Sequence, residues 1–284
     1  SGAMWKDIEK KLKSEGYYLP PYPASKDICS VGGSVAKNAA GPDSLRYGHC
    51  ADWVESMDVV LADGKTYTIA PLTYKEFKAL TKQKHLHAEI AQQIFTLIQK
   101  NEKEIKKNEP KTAKNSAGYP LWDVMPEGVA KFKKGKGVFD LTKLIAGSQG
   151  TVGIMTSITM RALPIATDTT LIAIPIFDLT EAATTITKVL KYDPLNVEVF
   201  DSLTFDLALE NPAFFRDRIP GVLNYYKVMF AMYSAYHVRF KRKIPEFIVL
   251  VTLDKETTDR HAPADVVRAI SSKSVTARVV RSEP

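Results

Sequence analysis

Ser30-Val31-Gly32-Gly33-Ser34-Val35-Ala36-Lys37-Asn38-Ala39-Ala40-Gly41-Pro42 is the stretch on which the reading of this chain turns. Three glycines and four other small residues within Val31–Pro42 let main chain approach a ligand, or other main chain, closely. The stretch reads as a loop. Downstream, Val59-Val60-Leu61-Ala62 and Lys65-Thr66-Tyr67-Thr68-Ile69 flank Asp63-Gly64. Asp-Gly between β-rich runs predicts a hairpin, because a type I′ turn needs positive φ at both central residues.

A second small-residue run, Gly147-Ser148-Gln149-Gly150-Thr151-Val152-Gly153, leads into Ile154–Leu163. There Ile154, Thr156, Ile158, Met160 and Ala162 alternate with Met155, Ser157, Thr159 and Arg161, so the period of two predicts a strand with one mainly apolar face. A strand after the glycines argues against a Rossmann fingerprint or phosphate loop, both of which need a helix N-terminus there. Spacing leaves two readings open: the runs at 30–41 and 147–153 are ordinary tight turns, or together they clamp a planar or pyrophosphate ligand through backbone N–H groups.

Around these lie ordinary elements. Trp5, Ile8 and Leu12 predict an amphipathic first helix, and the prolines of Tyr17–Pro23 an extended segment after it. Leu86, Ile90, Ile94, Leu97 and Ile98 predict a helix over 85–107. His85 and His87, two apart at its start, do not share a helical face and read as solvent-side histidines rather than metal ligands. Residues 126–138 read as a Gly- and Lys-rich loop. Pro164 marks a domain boundary. Beyond it, strands at 171–177, 196–200 and 247–253 and helices at 180–191, 203–209 and 264–271 predict a small α/β sandwich on one sheet.

Composition narrows the function. With 284 residues, 45% hydrophobic and 25% charged, the chain is neither disordered nor fibrous. No apolar run approaches the ~20 residues of a membrane span. Two cysteines, Cys29 and Cys50, without a C-x-x-C partner exclude a disulfide scaffold and a structural zinc site, and fit a reducing, cytoplasmic compartment, with peripheral membrane association left open. The net charge of +7 is dispersed. Lys103, Lys106, Lys107, Lys111 and Lys114 interleave with Glu102, Glu104 and Glu109; Lys131–Lys136 flank glycines; Arg239, Lys241, Arg242 and Lys243 form a third cluster. No aromatic–basic recognition pattern joins them, so solvated faces are favoured over a nucleic-acid or other polyanion surface.

The residues Ser30–Gly48, with Asp52-Trp53-Val54 and Val59–Gly64 after them, resemble one family: the FAD-binding domain of the vanillyl-alcohol-oxidase (PCMH) type, in the branch of glycolate oxidase FAD subunits, D-lactate dehydrogenases and D-2-hydroxyglutarate dehydrogenases. Asn115-Ser116-Ala117-Gly118-Tyr119 and Leu144–Ile154 match two more family segments in the same order, so the resemblance covers about 15–164. It implies an α+β fold: the second subdomain of the FAD domain over 5–164, its first subdomain missing, then part of a ferredoxin-like cap over 165–284. It implies FAD as cofactor and oxidation of a small 2-hydroxy acid by hydride transfer to flavin N5. An electron acceptor or iron–sulfur subunit is the expected partner, and no metal site falls within these residues.

Carried over position by position, Pro23 and Ser25 would lie near the flavin. Ser30, Gly32 and Gly33 would contact its ring or pyrophosphate, and Asn38, Ala39 and Gly41 the ring or ribityl chain. Gly48, Asp52 and Val54 would follow the nucleotide half, and Gly150, Gly153 and Ile154 the adenine side. Arg46 and Tyr119 are the candidate catalytic polar groups; Glu198 and Asp201 read as structural. The chain departs from the family in three places. The family's glycine-rich pyrophosphate loop would precede residue 5, its late histidines would follow Pro284, and Gln149 stands where the family has Glu. Ser1-Gly2-Ala3-Met4 reads as a remnant of tag removal, and both ends read as those of a piece cut from a longer protein; the alternative to the dehydrogenase reading is a non-catalytic fragment with an incomplete flavin site.

Overall fold

The computed structural model describes residues 1–112, 115, 117–165, 168–210, 245–271 and 277–281. Lys114, Ser116 and the basic cluster Arg239–Lys243 lie outside them. The chain divides into two compact units, Ser1–Ile165 and Ala166–Pro284.

The first unit opens with α1 (Trp5–Ser14), whose Trp5 is fully buried, and β1 (Tyr17–Tyr18). Ser1–Met4 is not the inert remnant expected: Met4 bridges Ser30, and the carbonyls of Ser1 and Ala3 accept from Gly32 N (2.7 Å) and Val31 N (2.9 Å). The small-residue stretch is not a loop either. Val31–Ala36 forms a short helix, α2, because Ser30 caps it by accepting from Gly33 N at 3.1 Å. α3 (Ser44–Tyr47) and a 3₁₀ turn (Cys50–Trp53) follow.

A hairpin forms at Asp63-Gly64 between β2 (Val54–Val60) and β3 (Thr66–Ile69), but not on the type I′ turn expected: of the pair only Gly64 has positive φ, and the loop closes through Gly64 N to Leu61 O (2.9 Å) and Leu61 N to Lys65 O (3.1 Å). β4 (Ile154–Met160) adds to the other side of β2, giving an antiparallel sheet in the order β3-β2-β4. Its pairing shifts register twice, between Val54 and Ser56 and between Asp58 and Val59. The second shift leaves Thr156 unpaired as a bulge, which flips the alternation. Met155, Ile158 and Met160 therefore turn inward, and Ile154 is 69% exposed. The unbroken apolar face expected from period two is wrong for this reason. β5 (Leu163–Pro164) pairs back with β1.

α4 (Tyr74–Leu80) starts on a capping box, Thr73 and Glu76, and α5 (Leu86–Lys107) starts on His85, whose Nδ1 accepts from Ala88 N. The supposed loop at 126–138 is built structure. α6 (Leu121–Val124) and α7 (Val129–Lys133) lead to α8 (Thr142–Ile145), and Phe132 and Phe139 are buried with Phe77 and Phe95. Ring centroids of Phe77 lie 4.9 Å from both Phe95 and Phe139 and 5.7 Å from Phe132, spacings at which aromatic pairs attract beyond their buried area. The glycines and lysines hid these aromatics.

The second unit runs β6 (Thr169–Ile176), α9 (Leu179–Val189), β7 (Asn196–Asp201), α10 (Ser202–Glu210), β8 (Phe247–Asp254), α11 (Lys255–Arg260), α12 (Pro263–Ile270) and β9 (Arg278–Arg281). Its antiparallel sheet has the order β7-β8-β6-β9, with β8 inserted between β6 and β7 as in a ferredoxin-like split βαβ unit. Ile172, Ile174, Ile176, Val249, Val251 and Leu253 form the buried face, joined by Val189 of α9 and Val266 and Ile270 of α12. Asp201 accepts from Thr204 N at 2.7 Å and caps α10, the structural role expected of it.

Candidate functional site

Three stretches, residues 34–39, 50–51 and 147–149, meet at the C-terminal end of α2. The chain leaves that helix through Asn38, held at φ +50, whose Oδ1 accepts from Ala51 N at 2.9 Å. Ala39 is fixed from both sides: its N–H donates to Ser34 O (2.8 Å) and its carbonyl accepts from Cys50 N (3.0 Å). The second glycine run docks on the same helix end. Gly147 N donates to Val35 O (3.0 Å), which also accepts from Asn38 N (2.9 Å), and Gln149 N donates to Ala36 O (2.8 Å), so amides from 147–149 complete the end of the helix. A Cβ on Gly147 would stand 3.2 Å from Asn38 Cβ, and its φ is +86, so glycine suits this junction twice over.

Beside this junction lies a polar cleft of about 250 Å³. Lys37, Asn38, His49 and Asp52 line one side, Lys143 and Gly147 another, and Asn115, Gly118, Trp122 and Asp123 a third. Lys143 is anchored: its Nζ donates to Ala51 O at 2.7 Å and lies 3.4 Å from Asp52 Oδ1. Asp52 Oδ2 accepts from His49 N at 2.9 Å. Asp123 sits on the solvent side; partial desolvation raises its carboxyl above the usual range, Lys143 opposes that, and Asp52 and Glu109 add to it. Ser148 Oγ is buried without a hydrogen-bond partner among the described residues. Lys37, Lys143, Asn38 and Asn115 supply donors for a phosphate- and ribose-bearing group, set against the carboxylates of Asp52, Glu109 and Asp123 in the same lining; Ser148 lies outside it.

Of the residues expected to hold cofactor, Asn38 and Asp52 line this cleft and Ala39 sits behind Asn38. The others hold different positions. Ser30 and Gly33 are tied to each other at the start of α2, and the Gly32 amide is taken by Ser1. Pro23 is buried, and the carbonyl of exposed Ser25 accepts from Ile28 and Cys29. Gly41 packs on Tyr22: an added Cβ would fall 1.7 Å from Tyr22 O. Gly48 ends α3, Val54 opens β2, Gly150 faces open space, Gly153 packs on Val59 and Ile154 lies exposed on β4.

Arg46 is half-buried in the last turn of α3. Tyr119 donates to or accepts from Thr151 Oγ1 at 2.8 Å and lines a second, apolar pocket. Sequence reasoning missed Trp122, Asp123 and Lys143. Lys143, a lone cation in the apolar run Leu141–Ile145, was the available signal. It also misplaced His87, which is buried rather than solvent-side. Cys50 is buried with its thiol pushed up to about 12 by desolvation, so it is a poor nucleophile at neutral pH.

Comparison with known proteins agrees with this picture. Residues 1–70 match the family described as an FAD binding domain. The chain is 24% identical over 211 residues to D-2-hydroxyglutarate dehydrogenase of Escherichia coli (strain K12), covering 74% of this chain and 20% of that protein. It is 24% identical to D-lactate dehydrogenase of Archaeoglobus fulgidus (73% of this chain, 33% of that protein). It is 26% identical to glycolate oxidase subunit GlcD of Bacillus subtilis (strain 168), covering 75% and 33%. Crystal structures of alkyldihydroxyacetonephosphate synthase share the fold: one superposes with a TM-score of 0.57 at 16% identity, over 96% of this chain and 37% of that one. The chain thus spans between a fifth and a third of the length of these curated relatives. Its fold is that of the PCMH-type FAD-binding enzymes, and no helix among the described residues is long and apolar enough to cross a membrane.

Proposed function

We propose that this chain carries part of the flavin site of an FAD-dependent oxidoreductase acting on a small 2-hydroxy acid, with D-lactate, glycolate and D-2-hydroxyglutarate the first substrates to try. The observation that carries the reading is the convergence at one polar cleft of residues 37–52, 115–123 and 143–147, three stretches that each overlap a flavoprotein-like segment. Bound there, FAD supplies a two-electron acceptor for the hydrogen on the substrate's α-carbon. The chain's own residues bind and orient. Lys37 and Lys143 offset phosphate charge, Asn38 and Asn115 offer amide groups to ribose or ribityl hydroxyls, and the paired loops at 36–38 and 147–149 hold these groups rigid. Arg46 and Tyr119 remain the candidates for substrate contact. An electron acceptor, or an iron–sulfur subunit, completes the turnover.

The cleft's volume favours a second reading of the isolated chain. At about 250 Å³ it is smaller than the roughly 300–1,000 Å³ of sites that enclose drug-sized ligands, so it holds a portion of FAD and these residues bind without turning over. Titration of FAD into the chain, followed by flavin fluorescence with FMN as control, tests both. Saturable binding of FAD in preference to FMN, weakened about tenfold or more by Lys37→Glu with Lys143→Glu, is expected. Binding of FMN equal to FAD, or indifference to the double substitution, overturns the assignment of the cleft. Reduction of bound flavin by one member of the 2-hydroxy-acid panel separates the catalytic reading from the binding-only one.

A further inference from the structure

The second pocket has a chemistry the flavin reading does not use. It lies within the first unit between the β2–β3 hairpin, α5 and α8, with a volume of about 370 Å³. Alternate residues divide two shared walls: Gly118, Pro120 and Trp122 face the polar cleft, while Tyr119 and Leu121 face this pocket; Lys143 faces the cleft, while Leu144 and Ile145 face the pocket. Its remaining lining is aliphatic apart from one side chain, His87, and no charged residue contributes among the described residues. The Tyr119 hydroxyl is already engaged with Thr151.

His87 is the anomaly. It is 7% exposed and lines the pocket, and its ring nitrogens are not among the described residues' side-chain atoms that are sealed from solvent without a partner. Its contacts are ring faces: Tyr67 at 5.6 Å and His85 at 6.1 Å between centroids. Among the described residues the imidazole is thus the one ring-nitrogen group that an occupant of this apolar pocket meets, and a hydroxyl or carbonyl placed there would need it as a partner. Burial, and then the nearby His85, hold its imidazole below the ordinary value, so at neutral pH it is an uncharged ring able both to donate and to accept.

We infer that this pocket binds a neutral, mainly apolar molecule carrying a single hydroxyl or carbonyl group, which hydrogen-bonds to His87. A dry cavity of about 150 Å³ accommodates benzene, so this pocket, at about 370 Å³, takes a bicyclic aromatic or a chain of about eight carbons. A carboxylate is disfavoured, because no cation among the described residues lines the wall and an unpaired charge there is costly. The occupant is therefore not a 2-hydroxy acid, and the inference stands whether or not the polar cleft holds FAD.

The test uses 1-octanol as probe and octanoate as its charged counterpart, titrated into the whole chain by calorimetry. Saturable one-to-one binding of octanol, with octanoate weaker by about tenfold or more, is expected. Leu144→Trp should abolish octanol binding by filling the pocket, and His87→Phe should weaken it by up to about tenfold. In the unaltered chain, octanol should shift the ring signals of His87 while those of His261, in the other unit, stay in place. That spectrum decides the matter even if a variant fails to fold. Absence of saturable octanol binding, equal binding of octanoate, or His87 signals that do not move overturns the proposal.

Discussion

The two sheets of this chain are built on opposite terms. β6 and β8 pair through eight consecutive residues without a shift, and Ile172, Ile174 and Ile176 all point to the core, fully buried. β2 and β4 pair across two register shifts, and the residue that period two would bury, Ile154, is on the surface. Alternation carries information about burial only while register runs unbroken. The irregular sheet belongs to the unit that gathers remote segments around a cleft. The regular one rests on a single apolar face with two helices against it. In the first unit the core is larger and more varied, with a knot of four phenylalanines inside it and backbone bonds joining distant loops around it.

That contrast can be broken most severely at the aromatic knot. Phe139→Ala removes a fully buried ring that packs on Phe77 and whose backbone pairs with Leu72, and should cost about 3–5 kcal/mol. All three tryptophans, Trp5, Trp53 and Trp122, lie in the first unit, so urea unfolding followed by tryptophan fluorescence reads that unit alone. A loss under 1 kcal/mol would mean the knot is not what holds it. Gly41→Ala comes next. Its Cβ would strike the backbone carbonyl of Tyr22, which cannot step aside as a side chain would, and overpacking of this kind costs about 1–3 kcal/mol. Thermal unfolding that matches the parent protein would show that the 22–23 segment yields.

The smallest effect sharpens the comparison through acid. The folded pKa of His87 is held below that of the unfolded chain, chiefly by burial. Unfolded chains therefore take up the proton first as pH falls below about 6.5, and the stability of the first unit declines until the folded ring also protonates. His87→Gln should flatten that part of the stability curve between pH 7 and 5. An unchanged slope in the variant would assign the acid sensitivity to another group.

Much of the architecture was legible because it rests on local rules. The hairpin at Asp63-Gly64, though not its turn type, the helix after His85 and the strand and helix sequence beyond Pro164 follow from turn chemistry and period. The flavoprotein likeness rested on residue identity in four ordered segments, and those segments do bring residues to one cleft. What could not be read depended on partners elsewhere in the chain. Val31–Ala36 has the composition of a loop and becomes a helix because Ser30 caps one end and residues 147–149 complete the other. His87 was placed in solvent because helical spacing relative to His85 says nothing about which wall α5 will meet. Trp122, Asp123 and Lys143 carry no motif, and only the fold collects them at the cleft.

The bonds from Gly147 and Gln149 to Val35 and Ala36 set an order of events in synthesis. Their partners are more than a hundred residues apart, so the end of the helix keeps only its local bonds, such as Asn38 N to Val35 O, until most of the first unit has been made. Closing so long a loop is paid in chain entropy before the contact gives anything back, which places this junction late in folding. The stretch that matches an FAD binding domain ends at residue 70, yet cutting the gene there would discard β4, both glycine-run amides and Lys143. The cleft therefore depends on residues that the matched stretch does not contain.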